Sequence, residues 1–180
     1  LVPMEADSSA EEKSYKKLFK KFWIATAFTL PIFFIAMSEM VPNNLLYDLL
    51  EQKRWNWIQF GLSIPVVFYA TWMFFERAYK SIKTWNLNMF TLIGIGAGVA
   101  WLFSVFGMLF PDVFPEQFKT ESGAVHVYFE AATVILTLVL LGQLLEARAH
   151  SKTTSAVKEL LKLAPSSATK VVDGQDIEVS

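Results

Sequence analysis

The stretch Ala124 to Ala147, AVHVYFEAATVILTLVLLGQLLEA, restricts the fold more than any other. It is long enough to cross a membrane, yet it carries two carboxylates, Glu130 and Glu146. Sixteen positions separate the acids, which at about 1.5 Å of helical rise per residue is roughly 24 Å. One acid then lies toward each face of a hydrocarbon layer about 30 Å thick. A charge in such a layer costs about 2.5–3.5 kcal/mol on insertion scales, so acids kept there mark a pathway or a partner.

Three further apolar runs accompany this one. With 53% hydrophobic and 15% aromatic residues among 180, the chain is too apolar for an ordinary soluble domain, and no nucleic acid is expected as a partner. The expected class is an all-α membrane protein with four transmembrane helices. There is no cysteine, so no disulfide or thiolate chemistry enters. Met4 to Ser14 is polar and acidic, which does not fit a secretory signal.

Residues 1–14 read as a polar, poorly ordered linker. The first span with its basic flank covers 15–41 and holds Pro31, a site that favours a kink; Pro42-Asn43-Asn44 ends it. The second span and its continuation cover 55–85. From Trp57 to Lys83 is roughly 40 Å as a straight helix, which overshoots the bilayer and demands a tilt, a bend or a protrusion. The overshoot, ERAYKSIKTW, sets Arg77, Lys80 and Thr84 on one side and Ala78, Ile82 and Trp85 on another, the pattern of a basic amphipathic helix at the headgroups. A simple positive collar and a docking platform carrying Arg77, Lys80 and Lys83 both fit. The third span lies in 86–110, where Gly94, Gly96 and Gly98 let a neighbouring helix approach closely. The fourth span is 124–147. Residues 148–180 read as a cytoplasmic stalk followed by a hairpin, Ala168 to Val172 and Ile177 to Val179 around Asp173-Gly174.

Thirteen of the 16 Lys and Arg fall on the N-terminal flank, the connection between spans two and three, and the C-terminal segment. The positive-inside rule therefore places both termini in the cytoplasm.

Spans three and four run antiparallel, so Met89 and Glu146 share a depth on the cytoplasmic side. A thioether suits a soft monovalent ion such as Cu(I) or Ag(I), and a carboxylate adds charge and weak ligation. Toward the other side, His126 and Glu130 are four apart on one expected helix face, with Met108, Glu39 and Met40 at comparable depth. Met89 and Met108 also fit as packing, Glu146 and Glu39 as snorkelling acids, and His126 as an interfacial residue. Glu130 lies deepest and is hardest to assign to structure alone.

Asn88-Met89-Phe90-Thr91-Leu92, Tyr128-Phe129-Glu130-Ala131-Ala132 and Leu140-Leu141-Gly142-Gln143-Leu144-Leu145-Glu146 together resemble the N-terminal membrane part of heavy-metal-transporting P-type ATPases of the copper-exporting subgroup. Leu161-Lys162-Leu163-Ala164-Pro165 is similar to the approach to that family's actuator domain. The resemblance implies two class-specific helices followed by the first two core helices and the start of a β-rich actuator domain. It implies Met89 and Glu146 as the cytoplasmic uptake residues for Cu(I), Glu130 on the release path, and Arg77 to Lys83 as a platform for a copper chaperone or the pump's own metal-binding domain. The setting would be a bacterial inner membrane. ATP and Mg2+ would act through downstream domains, because Cys-Pro-Cys, Thr-Gly-Glu and Asp-Lys-Thr-Gly-Thr are absent from these residues; the segment alone is expected to be inactive. Related pumps usually turn the second span with a Gly-Gly pair, whereas Ala70-Thr71 and then Trp72-Met73 stand here, so the kink is an open question. A silver or other heavy-metal exporter and a non-transporting membrane anchor are the alternatives.

Overall fold

The computed structural model describes residues 8–39, 50–120, 123–162, 168–172 and 175–179, with side chains placed within 12–39, 50–120 and 123–150. Five α-helices make up most of the described residues. Helix α1 spans Ser8–Ser38, α2 Gln52–Ile64, α3 Trp72–Lys83, α4 Met89–Leu109 and α5 Phe129–Lys162. A π-helical segment, Pro65–Ala70, joins α2 to α3. Strands β1, Ala168–Val172, and β2, Gln175–Val179, pair antiparallel with Ala168 opposite Val179. The turn between them, Asp173-Gly174, the break at Pro42-Asn43-Asn44, and Met40 lie outside the described residues.

Among the described residues three helices are long and apolar enough to cross a membrane: Glu12–Ser38, Met89–Leu109 and Phe129–His150. The piece Gln52–Ala70 with Trp72–Lys83 meets the same criterion only as a pair bent by 61°. The pair α2–α3 is thus bent, and the cause is local. Pro65 has no N–H to give to the preceding turn, and its ring crowds the carbonyl four residues back. The backbone relaxes into the wider π turn, a common origin of sharp kinks. At its end Thr71 spends two donors on one acceptor: its N–H and its hydroxyl both reach the Val66 carbonyl, at 3.0 and 2.9 Å. Thr71 is fully buried, and its hydroxyl does at this bend what a glycine pair does by flexibility.

Two expected boundaries move. Ser8 to Ser14, read as linker, belongs to α1, and Pro31 sits inside that helix. The fourth helix starts at Phe129 rather than Ala124; the preceding residues are extended, with a bridge between Lys119 and Val125. His126 therefore does not share a helix face with Glu130.

The core forms where α1, the π segment, α3, α4 and α5 meet, with Ala25, Val66, Val67, Ala70, Phe74, Ala97, Ala132, Leu136 and Leu140 buried together. Small residues set the spacing. A Cβ at Gly94 would lie 2.5 Å from the Ala78 Cβ, so the glycine lets α4 press directly against α3. Burial on α3 falls on Phe74, Ala78 and Ser81, while Ile82 and Trp85 are exposed. Polar pairs tie the apolar helices: Thr29 and Thr137 hydroxyls meet at 2.9 Å between α1 and α5, and the Trp101 indole donates to Ser63 Oγ at 2.8 Å.

Candidate functional site

The turn between α3 and α4 places Met89 and forms one mouth of the bundle. Trp85 takes a left-handed backbone, φ 56°, which reverses the chain directly after α3. Asn88 then caps α4 by accepting from the Phe90 N–H at 2.9 Å, while Thr91 Oγ1 accepts from the Asn88 N–H at 3.2 Å. This reciprocal box satisfies donors that a helix start leaves free. Thr91 in turn donates to the buried Ser81 Oγ of α3 at 2.8 Å, and Ser81 bonds the Asn86 carbonyl. Met89 is thereby fixed in the first turn of α4 with its side chain 57% exposed.

Arg77 is the residue that connects the mouth. Its guanidinium lies over the Phe90 ring, 4.8 Å from the centroid, and Phe90 stacks on Phe74 at 5.8 Å. Its Nη1 donates to Gln143 Oε1 at 2.9 Å, and Gln143 Nε2 donates to Glu146 Oε2 at 2.8 Å. Three helices therefore meet around one cation, with Met89 beside one end of the chain and Glu146 at the other. Arg77, Lys80 and Lys83 are all exposed; Arg77 reaches across to α4 and α5, whereas Lys80 and Lys83 lie in the last turn of α3.

Glu130 opens on a cavity of about 470 Å³ lined by Met37, Glu39, Gln59, His126 and Tyr128. His126 Nδ1 stands 3.5 Å from Glu39 Oε1, which also accepts from Gln52 Nε2 at 2.7 Å. His126 arrives from the extended lead-in to α5, its N–H donating to the Phe118 carbonyl at 3.2 Å. Glu130 Oε2 and Gln59 Oε1 are both buried without a hydrogen-bond partner among the described residues. Met108 lines a different cavity, about 370 Å³, with Lys53, Asn56 and Asp112.

Gln59 is the residue that sequence reasoning passed over. It is 2% exposed, and with Asn56 and Ser63 it makes the buried face of α2. Polar residues at helical spacing inside an apolar run were the available sign, since only a bundle interior rewards that arrangement.

Among the described residues no three His, Cys, Asp or Glu side chains stand together closely enough to hold a metal. The mouth at Met89 instead offers one soft and one anionic group. The cavity at Glu130 offers two carboxylates, an imidazole, a carboxamide and a thioether around open space.

A bent helix pair laid beside three apolar helices, with acids near both ends of one of them, defines a multi-pass membrane segment. Comparison with known proteins gives the class. The chain is 45% identical over 174 residues, 96% of its length, to a copper-exporting P-type ATPase of Legionella pneumophila. It is 38% identical over its whole length to a silver-exporting P-type ATPase of Salmonella typhimurium, and 38% identical over 89% of its length to a copper-transporting P-type ATPase of Rhizobium leguminosarum. It covers 23%, 22% and 19% of those proteins. No protein-family model matches. The chain corresponds to a fragment of a heavy-metal P-type ATPase of the copper- and silver-exporting kind.

Proposed function

We propose that this chain is the inlet-and-outlet part of an ATP-driven Cu(I) exporter. Met89 and Glu146 take the ion at the cytoplasmic mouth, and Glu130 passes it outward through the cavity shared with Glu39, Gln59 and His126. The bent pair α2–α3 counts as one span, giving four in all with both termini cytoplasmic in a bacterial inner membrane. The hairpin β1–β2 begins the actuator domain, and ATP and Mg2+ act through the rest of the pump. Lys80 and Lys83, with Arg77 at their inner edge, offer the platform for a copper chaperone or the pump's own metal-binding domain.

The observation that carries this reading is the bend at Thr71. It lays a basic helix directly against the α4 turn that presents Met89, so a docked donor would sit beside the thioether and the Glu146 carboxylate. Soft sulfur selects a monovalent soft ion, and Ag(I) fits the same chemistry. In the full-length pump, Met89→Ala and Glu146→Gln are expected to lower copper-stimulated turnover with expression intact; unchanged turnover in both removes the uptake assignment. Charge reversal at Lys80 and Lys83 is expected to weaken chaperone binding, and equal affinity leaves them a topological role alone.

A further inference from the structure

We infer that Gln143 is a positioning residue for Glu146, and that Arg77 sets it. The inference rests on the uptake reading of Glu146 and adds to it a link from the platform to the carboxylate.

The geometry is directional. A carboxamide has an acceptor end and a donor end, and a guanidinium can only donate. Once Arg77 Nη1 gives its proton to Gln143 Oε1 at 2.9 Å, the amide's orientation is decided: Nε2 faces the other way, toward Glu146 Oε2 at 2.8 Å. The opposite flip would set Oε1 against a carboxylate and Nε2 against a cation, repulsive at both ends. Arg77 is itself held in place by the face of Phe90, 4.8 Å away, and Phe90 is packed flat on Phe74. The orientation of Glu146 thus traces back to α3 and to the first turn of α4, through side chains and not through the backbone of α5.

The consequence concerns how a long, exposed acid can capture an ion. A free glutamate samples many rotamers and loses that freedom when it binds. A hydrogen bond to Oε2 keeps Oε1 presented on one side, so part of the ordering cost is met before the ion arrives. The same arrangement makes the mouth sensitive to what sits on the platform. An acidic surface that recruits Arg77 removes the donor that orients Gln143, and the hold on Glu146 relaxes. A docking helix whose inner cation were merely one more surface charge would have no such effect.

The test uses the full-length pump, with Cu(I) supplied as its cysteine complex and no chaperone present, reading KM and kcat separately. Gln143→Leu is expected to raise KM for Cu(I) about three- to tenfold, the range of an ordinary lost hydrogen bond at a hydrated site, with kcat unchanged. Arg77→Met, which removes the donor, is expected to raise KM similarly by itself and to add nothing to Gln143→Leu, because it acts through that residue. Arg77→Lys, which keeps a donor, is expected to restore most of the loss. An unchanged KM in Gln143→Leu overturns the inference, as do additive effects of the two substitutions, which would give Arg77 a separate role. A fall in kcat at constant KM also overturns it, since that is the mark of damage elsewhere. Glu146→Gln separates the two levels: if it leaves KM unaltered, the uptake reading fails and takes this inference with it. If it raises KM while Gln143→Leu does not, only the positioning role is lost.

Discussion

The apolar stretch of α5, Phe129–His150, holds a carboxylate near each end and treats the two in opposite ways. At the inner end Glu146 is exposed and hydrogen-bonded through Gln143 to Arg77. At the outer end Glu130 keeps one oxygen buried without a partner, across a cavity also lined by Gln59, whose oxygen is equally unpaired. An exposed, bonded acid costs the fold little. Each orphaned acceptor costs about 1–3 kcal/mol, and a sequence carries two such groups around one space where something other than the fold's own donors completes them in use. On the proposed function, the contrast corresponds to a mouth kept ordered for capture and a passage kept incomplete for transit.

Breaking the inner end outright should have the largest effect. Gly94→Val puts a side chain where the Ala78 Cβ already stands, 2.5 Å from the new Cβ, and overpacking of this kind costs about 1–3 kcal/mol. The thermal midpoint of the detergent-solubilised pump should fall by several degrees and chaperone binding should weaken; a midpoint that holds would mean α3 does not press on α4. Gln59→Leu probes the outer end with the opposite sign. Removing an unpaired buried acceptor should stabilise by about 1 kcal/mol while slowing copper-dependent turnover, whereas stabilisation with turnover untouched would make Gln59 plain packing. Thr71→Val removes one of the two bonds to the Val66 carbonyl, for a loss of about 1 kcal/mol. Spin-label distances between α2 and α3 should report a shallower bend, and an unaltered distance assigns the angle to Pro65. Smallest is Thr29→Val, about 0.6 kcal/mol as for polar pairs between membrane helices. It should be largely relieved by adding Thr137→Val, and a melting series on the single and double variants checks this.

The apolar helices were readable because their pattern is long and repeated: the α4 run and the close-approach role of Gly94 follow from residue size alone. The hairpin likewise shows in the alternation of Ala168 to Val172 with Gln175 to Val179. The bend was not readable from the expected glycine pair, because here it arises from a proline five positions before the π segment ends and a threonine hydroxyl that closes it, two signals that each have other uses. The start of α5 was misplaced by five residues because Val125 and Val127 are as apolar as a helix requires, while the pairing of Val125 with Lys119 is a tertiary matter. At the site, Glu130, Glu146 and Met89 announced themselves as polar or soft groups in apolar runs. Gln143 and Gln59 did not, since an amide matters only through the partners it finds or lacks, and those come from α3 in one case and from across the cavity in the other.

The π segment between Pro65 and Ala70 has one more consequence, of phase. Its wider turn shifts the angular register of everything that follows relative to what precedes, and in an α-helix one residue corresponds to about 100° around the axis. Asn56, Gln59 and Ser63 face the bundle before the segment, and Phe74, Ala78 and Ser81 face it afterward. A chain lacking one residue within 65–70 would retain both stripes but could no longer aim both inward: with the lower stripe seated, the cation at 77 would swing off Phe90 and Gln143. Length in this short segment acts as a rotational setting for the platform, more tightly limited than the identity of any one of its apolar side chains.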